Sequence, residues 1–174
     1  LHPITEAKNR GVNITCETCP HYLLLSIEDA EGIGPDAKCA PPLRYRDSID
    51  KLWQCLSKGA IDTIGSDHSP CPPEMKSGLS FYEAWGGISG LQHGLPLLWQ
   101  HCSEDHELLS RLVRLSSSEP AKKAGLEAKG SIEIGKDADF ILVDSSQTPN
   151  EIKADNLVYK HGVSAYCGMQ TSLN

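Results

Sequence analysis

The segment 61–74, IDTIGSDHSPCPPE, constrains the chain more than any other. Ile61, Thr63 and Ile64 begin a short apolar strand. Pro70, Pro72 and Pro73 then leave the backbone neither a helix nor a ladder to continue into. The strand therefore stops on Asp67 and opens into a rigid loop, which sets a carboxylate at a strand's carboxyl end, where α/β barrels carry their chemistry. Locally Asp67 has two readings: a site carboxylate, or an Asp that caps its own turn ahead of Ser69 and Pro70.

The flanking pattern alternates helix and strand. Residues 4–10 read as the end of a helix closed by Gly11, and 12–17 alternate β-branched and polar residues as a strand does. Ser26 with Asp29 three positions on forms an N-cap pattern for a short helix ending by 32–35, and 40–44, with Pro41 and Pro42, must be a loop. Ile49, Leu52, Trp53 and Leu56 recur at helical spacing over 46–58, with Gly59 placed to close that helix before a strand at 61–65. This order argues for a parallel sheet covered by helices, hence the α/β class. A Gly-rich turn at 85–90 precedes an apolar stretch through Leu98, and Leu108, Leu109, Leu112, Val113 and Leu115 predict another helix. Beyond Gly130 the character changes. Residues 131–134 and 139–144 are strand-like runs joined by a tight corner, as in a small β module, and 145–174 is polar and irregular. The expected division is 1–128 and 129–174.

With 174 residues and 39% apolar content the chain can hold one ordinary domain, and no run is long enough to span a membrane. Its 16 basic residues are scattered among 23 acidic ones, for a net charge of −7, which argues against a nucleic-acid partner. Seven cysteines at irregular spacing favour free thiols in a reducing intracellular compartment, the cytoplasm or an organelle such as a mitochondrion or peroxisome. The absence of an initiator Met is expected of a segment cut from something longer.

Four segments together carry a resemblance: CETCPHYLLL (16–25), KCAPPLR (38–44), IGSDHSPCPPEMK (64–76) with AWGGISGLQ (84–92), and KGSIEIGKDADFILVD (129–144). In this order they resemble the carboxyl-terminal part of the cyclic amidohydrolases, the superfamily of dihydroorotases, hydantoinases and allantoinases, and the allantoinase branch most closely. The resemblance implies an α/β fold, the last part of a (β/α)8 barrel beginning after its sixth strand, with part of a small β-sandwich. It also implies two divalent metals at the barrel mouth, zinc first and iron, manganese or cobalt as alternatives, with their other ligands upstream of Leu1. A homo-oligomer, often a tetramer in the family, follows from the same likeness. The isolated segment, without those ligands, is expected to be inactive and prone to aggregate.

In the implied chemistry the metals supply a nucleophile from water and polarise a cyclic amide. Asp67 would be metal ligand and general acid/base, taking the proton on attack and returning it to the leaving ring nitrogen. His21 and His68 do not match the family's metal histidines and are expected to be hydrogen-bonded supporting or core residues. Cys16 and Cys19 have zinc-pair spacing but no second pair, and read as buried thiols. Ala40, Gly86, Gly87 and Cys71 match substrate-binding positions. Ala40 stands where relatives carry Ser or Asn, so its contact would be through the main chain. Gly86 and Gly87 would allow close approach to the ring, or simply form a turn. At the position of Cys71 dihydroorotases usually carry His and hydantoinases an aromatic residue. Cys followed by Pro-Pro-Glu is the allantoinase pattern, implying allantoin as the small-molecule substrate, although a small apolar filler fits the same place. Glu119 replaces a usual Asn at the start of a helix expected near Ser118, a place where a carboxylate is favourable.

Overall fold

A computed structural model describes residues 2–144 and 146–173; Leu1, Ser145 and Asn174, at the edges of the expected segments, lie outside the described residues. Helix α1 (His2–Asn9) ends ahead of Gly11, whose φ of 79° is the left-handed turn the sequence called for. The next strand is shorter than its alternation predicts: only β1 (Glu17–Thr18) is laddered, and Val12 and Ile14 stay exposed. Pairing begins only at Cys16, whose carbonyl accepts from the N–H of Asp62 and of Thr63 at 2.8 and 3.3 Å. The Asp62 carboxylate closes this entry, accepting from Cys16 N and from Lys8 Nζ, both at 2.6 Å.

Pro20 then opens α2 (Pro20–Leu24), a five-residue helix too short to leave a periodic signature; proline suits the first turn because its missing N–H would be unpaired there anyway. Helix α3 (Ile27–Ile33) realises the expected cap. Ser26 Oγ accepts from Asp29 N at 3.2 Å, and Asp29 accepts in return from Ser26 N at 2.7 Å. After a 3-10 turn (Gly34–Ala37) the loop through Ala40, with a cis Ala40–Pro41 bond, leads to α4 (Arg46–Ser57) and then β2 (Thr63–Ile64). β1 and β2 pair in parallel, Glu17 opposite Thr63 and Thr18 opposite Ile64, as the helix–strand alternation required.

Helix α5 (Gly94–Cys102) is followed by α6 (His106–Val113), a π turn (Arg114–Ser118) and α7 (Glu119–Lys123). Helix α7 begins beside Ser118, where the sequence reading places a helix start, but it continues directly from the π turn rather than after a break. Pro120 has no N–H to offer Ser116 and its ring would crowd that carbonyl, so the backbone widens to a π turn, with Glu119 N donating to Arg114 O, and continues. Glu119 accordingly pairs sideways with Arg114 at 3.1 Å rather than capping an end.

Two clusters form the core. One gathers Leu23, Leu56, Ile61, Leu98, Cys102, Leu112 and Leu115, with Trp53 donating its indole N–H to Leu23 O at 2.8 Å. The other joins Leu25, Cys39, Leu43, Ile88 and Leu97 to Ile152, Ala165 and Tyr166. Helices α2 and α5 contribute to both, through Leu23 and Leu98 on one side and Leu25, just past α2, and Leu97 on the other. The last segment is thus not an irregular tail: it forms an antiparallel pair, β3 (Asn150–Glu151) with β4 (Gln170–Thr171), and buries Tyr166 completely. The runs at 131–134 and 139–144 are not strands here. They have no ladder partner among the described residues and leave Ile132, Ile134, Ile141 and Leu142 exposed. β propensity is realised only against an edge that can pair.

Leu56 is fully buried between α4, α5 and α6, so Leu56→Ala is expected to cost about 2–5 kcal/mol. Urea denaturation checks this; a loss below about 1 kcal/mol would mean that the cluster is not packed as described.

Candidate metal and active site

Carried past the ladder, the β1–β2 register sets Cys19 opposite Gly65, and Asp67 falls one strand period further on, beside the first turn of α2. Glu17 and Thr63 share one face of the ladder, where the Glu17 carboxylate also lies against Gly65, and Cys19 and Asp67 extend the two strands beyond it. There a Cys19 sulfur, a His21 ring nitrogen and an Asp67 carboxylate oxygen all lie within 4.8 Å of one another. Glu17 is held nearby, accepting from Thr63 Oγ1 at 2.8 Å.

Asp67 carries the only positive φ of any non-glycine residue described, 44°, at a cost of about 1 kcal/mol that the loop must overcome. The loop is fixed directly after it. Ser69 N donates to Ile88 O at 3.0 Å, and His68 bridges to Ile88 while its Nδ1 accepts from Leu91 N at 3.3 Å. His68 is therefore the hydrogen-bonded supporting residue expected, with Tyr159 against its ring at 5.3 Å. The turn-capping alternative for Asp67 is not realised, since its exposed carboxylate accepts no hydrogen bond among the described residues.

His21 departs from expectation. It is fully buried, yet neither ring nitrogen has a hydrogen-bond partner. Burial drives its pKa down to about 4, against the opposing pull of Asp67, so the ring is neutral with a free lone pair at neutral pH. Cys19 is pushed up to about 12 by burial first and by Asp67 and Glu17 after it, so it is a protonated thiol. An open carboxylate beside a neutral, unpartnered imidazole suits a divalent cation; Cys19 becomes a ligand only if the ion displaces its proton. Cys16 lies outside this group, which leaves the Cys16–Cys19 spacing without a metal role. The histidine signal was present in the sequence, but nothing in the pattern reveals that both of its nitrogens go unpaired.

The other expected site residues sit on the adjoining loops. A methyl on Gly87 would come within 2.4 Å of Ser69 Oγ, so that glycine is required by the loop after Asp67. Gly86 lies over Ala40, where a methyl would make an ordinary 3.8 Å contact; close approach therefore demands glycine at 87 only. Ala40 is exposed beside Pro41, whose carbonyl accepts from Tyr22 OH at 2.9 Å. Cys71 is buried, and burial raises its thiol, so it is neutral. All seven cysteines are free, and among the described residues no helix is long and apolar enough to cross a membrane. Two open clefts, of about 500 and 330 Å³, are lined by other residues and do not include Asp67.

The folded state resists protonating His21 while the unfolded chain takes the proton near pH 6.5. Its contribution is thus complete at neutral pH and is lost as pH falls from about 6.5 toward 4, by up to about 3 kcal/mol. An NMR titration of the metal-stripped protein is expected to place the His21 midpoint near 4; a midpoint of 6 to 7 would contradict the dry, unpartnered environment.

The sequence and fold of the chain resemble those of known proteins. The amidohydrolase family model matches residues 2–169. The chain is 47% identical over 166 residues to an allantoinase of Rubrobacter xylanophilus and 42% identical over 166 to one of Bacillus licheniformis, covering 95% of this chain and 36% of each relative. Among solved structures, the L-hydantoinase (dihydropyrimidinase) from Arthrobacter aurescens superposes with a TM-score of 0.92 at 34% identity, and a D-hydantoinase from Thermus sp. with 0.88 at 30%, each over 98% of this chain and 39% of theirs. The chain spans little more than a third of the length of the relatives it matches. The fold is that of part of a barrel hydrolase, a divalent metal is implied in general terms, and the chain belongs to the amidohydrolase family.

Proposed function

We propose that the complete natural protein containing this chain is a metal-dependent cyclic amidase of the allantoinase type, opening the hydantoin ring of allantoin to allantoate. The observation that carries this reading is the unbonded Asp67 carboxylate beside the buried, unpartnered His21 at the end of a parallel strand. Bound metal, zinc for preference, would supply an activated water and polarise the amide carbonyl. Asp67 would hold the ion, take a proton on its free carboxylate oxygen during attack and deliver it to the departing ring nitrogen. Asp67 is exposed on a left-handed backbone, and the Ser69–Ile88 bond fixes the loop just after it.

Ala40, Gly86, Gly87 and Cys71 would line the ring pocket. Cys71 favours an uncharged ring, because a buried neutral thiol offers no counter-charge to the carboxylate of dihydroorotate. The hydantoinase neighbours support a second reading, hydantoin or dihydropyrimidine hydrolysis at the same site. Residues 129–144 would join a small β-sandwich with residues outside this chain, which would give their exposed apolar side chains a partner edge. A homo-oligomer remains the family expectation carried into this reading.

Asp67→Asn in the complete protein is expected to lower kcat/KM on allantoin by about 10²- to 10⁴-fold and to reduce bound metal. Metal analysis with steady-state assays on allantoin, hydantoin and dihydroorotate decides the matter. Unchanged metal and turnover would remove Asp67 from the mechanism, and preference for hydantoin would favour the second reading.

A further inference from the structure

We propose that Lys76 is a positioning residue that holds the three pocket loops in register; this deepens the reading above, on which the pocket roles of Ala40, Cys71 and Gly87 rest. Its side chain is only 2% exposed, an expensive place for an ammonium unless every donor is used. All three are used. Nζ donates to the carbonyls of Pro35, Asp36 and Lys38 at 2.8, 3.1 and 3.4 Å. No carboxylate pairs with it among the described residues, so it is a brace on backbone rather than one half of an ion pair. Two of the carbonyls belong to the 3-10 turn Gly34–Ala37, and the Pro35 carbonyl accepts from Lys38 N at 3.0 Å as well as from the ammonium.

The brace closes a circuit. Lys76 follows the 3-10 turn Pro73–Met75 that begins just after Cys71. Met75 O accepts from Trp85 N at 2.8 Å, one residue before Gly86. Lys38 Nζ donates to Tyr82 O at 2.8 Å, and Gly86 lies over Ala40. Loops 38–41, 71–76 and 82–87 therefore hold one another, and the linkage between the first two is the buried ammonium. No hydrogen bond or ion pair joins Lys76 to Asp67, so its loss should disturb where a ring is held and spare the proton-transfer group.

The test uses the complete natural protein with Lys76→Met, assayed on allantoin with metal content and amide hydrogen exchange. The expected result is a KM raised about tenfold or more, kcat within about threefold, unchanged metal, and faster exchange over 36–40 and 82–87. Lys76→Arg, which keeps charged donors, should fall between. A KM within about twofold of native in Lys76→Met, or a loss confined to kcat, overturns the proposal. If Lys76→Met does not fold, Lys76→Arg and Lys76→Gln replace it, with KM expected to rise in that order and the same KM in both counting against it. Should the native protein leave allantoin untouched, the functional reading fails separately. Faster exchange in those two segments then still upholds the brace, and unchanged exchange overturns it.

Discussion

The parallel pairing of β1 with β2 is the constraint on which the rest depends. Backbone bonds flanking the ladder, from Asp62 and Thr63 to Cys16 O and from Gly65 to Thr18 O, fix the register. That register decides which side chains share a face, and a slip of one residue would turn Glu17 and Thr63 to opposite faces. The two-strand ladder is short, so its precision comes from outside it. The Lys8–Asp62–Cys16 contacts pin one end, and the packing of Leu23, Leu56 and Ile61 pins the helices across its back.

At the other end of the ladder the physics changes from packing to unsatisfied polarity. A native interior seldom leaves an imidazole with both nitrogens bare, because the desolvation is uncompensated. Nor does a non-glycine residue adopt a left-handed backbone without a surrounding structure that forces it. Both departures meet at one place, His21 beside Asp67, where a cation would give the bare imidazole and the open carboxylate a partner.

Much of the fold was legible where a local rule has a single physical cause. The capping box at Ser26 and Asp29, the left-handed closures at Gly11 and Gly59, and the apolar stripe ending in the buried Leu56 all appear where the residues placed them. The failures share a cause as well. The strand read at 12–17 is laddered only from Glu17, and the strand-like runs at 131–134 and 139–144 are not laddered, because a strand exists only with a partner, which a single sequence does not show. Helix α2 escaped notice because one turn has no period, and the π turn because Pro120 reads as a start rather than a passage. In the site, Asp67 could be found from the prolines after it. The bare nitrogens of His21, the three-carbonyl seat of Lys76 and the difference between Gly86 and Gly87 are properties of tertiary neighbours and could not.

The most direct measurement of this account is the anomalous difference map of the complete protein crystallised with zinc. The proposed site predicts an ion peak about 2.1 Å from an Asp67 carboxylate oxygen, beside His21. A zinc peak elsewhere, with the Asp67 carboxylate turned to solvent, would contradict it.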